Sequence, residues 1–429
     1  MKKNSIKQII VDFHKEPLPN VIERNVKIPI GSNKIISLIG VRRAGKTFTL
    51  IQIMHQLLKK NIKKNKIIYI NFEDERLDLK ADELELIIQA YAELYPNNNF
   101  KECYIFFDEI QVVENWEKFV RRIYDTLTKN IFITGSNSKL LSREIATSLR
   151  GRTLSYEIFP LDFKEFLKFK NVKPDFYHTT TKAKIVNLFY EYLTYGGFPE
   201  IIFLDNKELK IKTLQNYFEV MLYKDLVERY EIKQITLLKF FLKRLFEQIT
   251  SPVSINKIYN DVKSQGYKIS KDRLYEFAEY IENIYIGLFS KKYSISILKT
   301  EFSAKKFYTI DNGLLNAVTF KYSQDYGKLF ENLVFMELKK AGKDVFYYKN
   351  RKECDFLYFE NNTPLLVQAC FDTSEKNTLN REIESLKSIM EFFNIKKGYI
   401  VTGDTENIIK NKNFEIELIP FYRFCFDVI

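Results

Sequence analysis

The chain has 429 residues, 45% of them apolar and 28% charged, with 67 Lys and Arg against 55 Asp and Glu for a formal net charge of +12. That length predicts two or three domains, each large enough for its own core. The four cysteines, Cys103, Cys354, Cys370 and Cys425, show neither CxxC nor zinc-finger spacing, which excludes a structural zinc site and points to a reducing compartment. The basic surplus favours polyanionic partners such as DNA or RNA, although a composition rich in Lys, Ile, Asn, Tyr and Phe would also follow from an AT-rich genome.

The N-terminal segment, residues 1–30, begins "MKKNSIKQIIVDFHKEPLP". It is basic but lacks the apolar core of a signal peptide, and no apolar run approaches the roughly 20 residues a membrane span needs. A cytoplasmic protein without membrane contact is expected. From 31 to about 160, short apolar runs alternate with helical patterns, the mark of a mostly parallel α/β sheet. The predicted strands are "KIISLIG", "KIIYINF", "CYIFFDEI", "NIFITGS" and "TLSYEIF". Between the first strand and a helix lies "GVRRAGKTFTL", which fits a P-loop: Gly40, four residues, then Gly45-Lys46-Thr47. Gly40 and Gly45 let the backbone turn its N–H groups toward phosphate oxygens, Lys46 supplies a positive charge to the β- and γ-phosphates, and Thr47 completes a Mg²⁺ shell. Arg42, Arg43, Ala44 and Phe48 complete the nucleotide-binding set, with the two arginines as candidates for contact with nucleotide or with a neighbouring subunit.

Downstream, "YIFFDEI" describes a buried strand that ends in two carboxylates, at the end where open α/β sheets bind ligands. Asp108 is the expected Mg²⁺ holder and Glu109 the residue that polarises the attacking water. In "NIFITGSNSKLLSREIATSLRGR", Asn137 is the candidate sensor of the γ-phosphate, with Thr134 and Ser136 behind it. A cap for the next helix suits Ser136 or Ser138 equally well. Arg152, then Arg150, are candidates for a guanidinium that reaches a neighbour's nucleotide in an oligomer, against the alternative of plain surface arginines. Trp116 is expected to pack its helix onto the sheet. His14, His55 and His178 are too separated to suggest a metal site, and the acids of "NFEDERLDL" end a strand near the nucleotide or in a solvated turn.

Together, "GVRRAGKT", "YIFFDEIQVVENWEKFVRRIYD", "ITGSNSKLLSREIATSLRGR", "EIFPLDFKEFL" and "YGGFPE" resemble the archaeal and bacterial AAA+ family ATPases that carry an uncharacterised C-terminal region. The resemblance covers most of the chain. It implies an α/β P-loop NTPase core of AAA+ type, ATP with Mg²⁺, and a helical lid, here 161–235, followed by further domains. Glu200 in "GGFPE" stands where many lids place an arginine, so sensing through the lid is not expected.

Residues 236–308 resemble a winged helix, with Ser254 and Ser270 as helix caps, Gly266 as a helix stop and the helix from Ser270 in the recognition position. Lys268, Lys271, Arg273, Lys291 and Lys292 are placed to meet phosphates, but Asp272, Glu276, Glu279 and Glu282 on the same helix suit a protein contact as well. Residues 309–429 resemble the restriction-endonuclease-like core, read as helix, strand, strand, helix, strand. Glu331 and Asp355 occupy acidic positions, with Lys349 and Lys352 nearby, yet the tripeptide that should read acid-x-Lys is Gln368-Ala369-Cys370. Glutamine brings no charge to Mg²⁺ and a neutral thiol does not replace an ammonium, so a degenerate module is expected. The expected function is an oligomeric ATPase that couples its cycle to nucleic acid. A nucleotide-regulated signalling switch with protein-binding C-terminal domains is the alternative, and an ATP-dependent nuclease is less favoured.

Overall fold

A computed structural model describes residues 2–135, 149–319 and 325–429. The chain divides into two compact units, Met1–Phe159 with Asn283–Tyr285, and Pro160–Glu282 with Ile286–Ile429.

In the first unit, isoleucine-rich runs form β1 (Ile35–Ile39), β2 (Ile67–Asn71), β3 (Tyr104–Asp108), β4 (Ile131–Gly135) and β5 (Thr153–Glu157). They pair in parallel in the order β2-β3-β4-β1-β5. Every residue of β1 and β4 is buried, as expected of strands covered on both faces. The covering helices are α1 (Lys2–Lys15), α2 (Lys46–Lys59), α3 (Glu85–Leu94) and α4 (Trp116–Thr126). On α1, Ile6, Ile9 and Ile10 lie at the spacing of one helix face and enter the same apolar core as Ile68, Ile70 and Tyr91. Each contributes about 1.5–3 kcal/mol by leaving water. Trp116 opens α4 and joins that core through a single face with Val120 and Ile123. Because all strands run in one direction, the carboxyl ends of β1, β3 and β4 finish at a common edge, and that edge carries the site.

The second unit begins with helices Phe163–Phe169, Thr179–Tyr195, Pro199–Ile202 and Lys207–Val220, the last continuing as a π-helical turn over Met221–Glu228. A helix Ile235–Glu247 leads to β6 (Pro252–Val253), helices Ile255–Ser264 and Lys271–Asn283, then β7 (Gly287–Ser290) and β8 (Lys305–Thr309). These strands form an antiparallel sheet in the order β6-β8-β7. Ser254 accepts from the Lys257 N–H and Ser270 from the Arg273 N–H, so both serines cap helices. The C-terminal sheet runs β13 (Asn407–Lys410), β14 (Glu415–Pro420), β12 (Lys397–Thr402), β11 (Thr363–Cys370), β10 (Glu353–Glu360), β9 (Phe346–Lys349). Only the β11–β12 and β12–β14 pairs are parallel. The sheet thus has more strands than the sequence pattern indicates. The additional strands are β9, β13 and β14; β9 and β13 are four-residue edge strands and β13 buries none of its residues, so neither develops a readable alternation, whereas β14 is a six-residue inner strand that the sequence pattern missed. Among the described residues no helix is long and apolar enough to cross a membrane.

The glycine pair of "YGGFPE" is explained by Asp311. This buried carboxylate accepts from the Gly197 N–H at 2.7 Å and the Gly313 N–H at 2.8 Å. A Cβ on Gly196 would lie 1.8 Å from Asp311 Oδ1, so no side chain fits there. Burial pushes the Asp311 carboxyl up to about 6, against the opposing pull of the Gly197 N–H. The folded state therefore holds this proton more tightly than the unfolded chain does. Its contribution is complete below pH about 4 and is lost as the pH rises through about 6. The stability of the native chain relative to Asp311→Asn, from urea unfolding, should accordingly fall between pH 4 and 6; a constant difference would contradict the assignment.

Candidate functional site

Gly40 ends β1 at φ +145°, and a Cβ there would lie 2.1 Å from the Ile158 carbonyl oxygen, so only glycine allows this approach. Gly45 at φ +96° and Arg43 at φ +64° complete the bend. The helix α2 then starts at Lys46 with no side-chain cap, which leaves its first N–H groups to an external anion. Lys46 is buried. Its Nζ donates to the carbonyls of Gly40 and Val41, each at 3.2 Å, and lies 3.6 Å from Glu109 Oε1. The ammonium is thus held by the backbone bend and faces Glu109, the residue that follows β3.

Those acids are fixed from neighbouring strands. Thr134 on β4 donates to Asp108 and accepts the Glu109 N–H at 2.8 Å, while Tyr69 on β2 donates to Asp108 at 3.0 Å. Thr47 also hydrogen-bonds Asp108. Glu109 sits at φ +52°, a left-handed conformation that swings its side chain off the strand, and Gln111 donates to its carboxylate. Burial raises the Asp108 carboxyl, the Glu109 charge adds to this, and the three hydroxyls oppose it. For Glu109 burial acts in the same sense, but the Lys46 charge, helped by Gln111 and Arg42, outweighs it and holds the carboxyl below its usual value. Adjacent carboxyls are thereby driven in opposite directions, as expected where they serve different tasks.

Around this centre, Arg42 pairs with Glu73 at 3.2 Å, so an acid of the β2 loop does lie beside the loop after β1. Phe48 is 54% exposed on the first turn of α2. Arg24, which no sequence signal marked, donates to Ala44 O at 2.8 Å and Phe159 O at 3.0 Å and ties the N-terminal segment to the loop. Tyr69 and Gln111 were also missed; nothing in a buried strand or a short turn distinguishes them until the strands are paired. Arg150 and Arg152 are not brought to Lys46. They precede β5 at the opposite edge of the parallel sheet, where Arg152 makes two hydrogen bonds to Asp125, at 3.0 and 3.2 Å. Asn137 and Ser136 lie outside the described residues. In the second unit Glu331 and Asp355 do converge, and Lys349 and Lys352 line the same cavity.

Residues 32–167 match a family described as an AAA domain, and residues 186–325 and 326–424 match two domains of unknown function. An uncharacterized protein of Methanocaldococcus jannaschii is 39% identical over 98% of this chain and 95% of its own length. One of Haemophilus influenzae is 34% identical over 86% of this chain and 88% of its own. Among solved structures, AMPPCP-bound DnaA from Aquifex aeolicus aligns at 14% identity over 64% of this chain and 86% of that chain, with a TM-score of 0.26, too distant a likeness to carry an argument.

Thr134→Val would strip the buried Glu109 N–H and Asp108 of a partner while filling the same volume. It should lower the unfolding free energy by about 1–3 kcal/mol, with Thr134→Ser close to native. Equal urea midpoints for native and Val chains would show that the hydroxyl bonds are not formed.

Proposed function

Because the chain belongs to an AAA-type ATPase family, shared with those two uncharacterized relatives, we propose that it binds ATP with Mg²⁺ and hydrolyses the γ-phosphate. The observation that carries this reading is the convergence of Lys46, Asp108 and Glu109 on one sheet edge beside the uncapped start of α2. The N–H groups of residues 40–48 cradle the phosphates and the Lys46 ammonium neutralises the transferred group. Thr47 and Asp108 form a hard, oxygen-only pair that suits Mg²⁺, and the buried Asp108 carboxyl gains from a cation beside it. When bound, that ion supplies charge neutralisation on the phosphate oxygens. Glu109, kept ionised by Lys46, orients a water for attack. Asn137 is proposed as the γ-phosphate sensor.

Arg152, with Arg150 as the second choice, is proposed to act on the nucleotide of a neighbouring subunit, since each lies at the edge remote from its own Lys46. The active state is then a homo-oligomer. We further propose that residues 236–308 are a winged helix that couples the cycle to DNA or RNA. The succession helix, β6, helix, helix, β7, β8 supports this, as do Lys268, Lys271 and Arg273. A protein-binding switch is favoured by a different feature: Ile295, Ile297, Leu298 and Phe302, between β7 and β8, are 70–85% exposed.

Glu109→Gln should lower kcat by about 10²–10⁴-fold with ATP affinity retained, whereas Lys46→Ala should lose nucleotide binding. Mixing Glu109→Gln with Arg152→Ala chains should recover part of the rate if the arginine acts across subunits. A fully active Arg152→Ala chain would remove that residue from the mechanism. Stimulation by DNA or RNA that fades with added salt separates the nucleic-acid reading from the switch.

A further inference from the structure

Lys306 leaves β8 and is 2% exposed. Its Nζ lies 3.0 Å from Glu331 Oε1, 3.0 Å from Glu353 Oε1 and 3.3 Å from Asp355 Oδ1. The acids come from the helix Tyr326–Lys340 and from β10, so tertiary packing alone gathers the group. It lines a cavity of about 1040 Å³. Three carboxylate oxygens around one point is what a divalent ion assembles, at somewhat shorter range. Here the point is taken by an ammonium on a stem long enough to reach it from another sheet.

The surrounding bonds fit that occupant. Tyr308 donates to the Glu331 oxygen that Lys306 also meets, at 2.9 Å. The second Asp355 oxygen accepts the Ala369 N–H at 3.2 Å. Gln368 accepts the Asp355 N–H through its side-chain oxygen at 3.2 Å and donates to Glu382 at 2.6 Å, so its amide is used on both sides and adds no charge. Burial pushes the Cys370 thiol up to about 11, which keeps it neutral. Burial alone would lower the Lys306 ammonium, but the surrounding acids and Tyr308 hold it well above its usual value, so it stays charged.

We propose that Lys306 is the resident cation of the Glu331, Glu353 and Asp355 cluster, holding the place of a divalent ion and leaving this cleft metal-free. A second cation at the same point would face a buried ammonium, which repels it and cannot leave without stranding three acids. With no ion to activate water or carry phosphate charge, the cleft does not hydrolyse phosphodiesters. The inference is independent of the nucleotide site, and its test is made in an Asp108→Asn background so that the ion held there does not contribute.

The probe is Mn²⁺ alone, counted by electron paramagnetic resonance on the full chain. With Lys306 in place no ion should be retained by the cluster at tens of micromolar. Lys306→Met should take up one Mn²⁺ per chain and melt higher in its presence, and adding Asp355→Asn should abolish both effects. Should the Met side chain prevent folding even with Mn²⁺, Lys306→Gln gives the same reading with a polar group in place. Mn²⁺ bound by the Lys306 chain and released by Asp355→Asn overturns the proposal, as does a folded Lys306→Met or Lys306→Gln chain that binds none.

Discussion

A single hydroxyl, that of Thr134, ties together the parts on which the N-terminal site depends. It donates to Asp108 and accepts from the Glu109 N–H, and it does so from the strand next to the one that carries both acids. That bridge exists only because β3 and β4 run parallel, with Phe107 opposite Ile133, so their carboxyl ends finish together. Register is therefore a chemical constraint here. A slip of one residue would turn Thr134 to the other face and leave the Glu109 amide buried without a partner.

The same sheet supplies the charge logic. Lys46 is fixed by carbonyls of the bend it follows and sits 3.6 Å from Glu109. Its charge keeps Glu109 ionised despite burial, while Asp108, further from the ammonium, is raised. The two acids are neighbours in sequence yet electrostatically distinct, because the left-handed turn at Glu109 sends one toward the loop and leaves the other among hydroxyls. In the second unit a lysine also meets acids, but the balance differs. Lys306 is surrounded by three carboxylates at 3.0–3.3 Å and is enclosed by them. Lys46 faces one carboxylate across a longer gap and opens a helix that has no side-chain cap.

Much of the N-terminal fold could be read directly. The five strand runs end within a residue or two of the observed strands, since each is a short apolar segment bounded by polar or glycine residues. Gly45, Lys46 and Thr47 are contiguous, with Gly40 five residues before Gly45, and Asp108-Glu109 closes a buried strand, so local pattern was enough to place them. Arg24 was not legible: its segment has no periodicity, and its role lies in carbonyls 20 and 135 residues away. Tyr69 looked like any aromatic in a strand. The C-terminal sheet was under-read because its edge strands are only four residues long, and β14 pairs with segments that no local window contains.

What the sequence determined by itself was the chemistry confined to a few adjacent residues: a glycine-bent loop, an ammonium, a hydroxyl and a pair of acids at a strand end. Such groups are fixed by backbone conformation over one turn, which short-range sterics and propensity control. Tertiary structure decided the partners. Which hydroxyls hold Asp108, which carbonyls Arg24 ties and which cation fills the acids around Lys306 all depend on pairing distant segments. Those contacts follow from burial summed over whole sheets and helices, and no local window of the chain contains that sum.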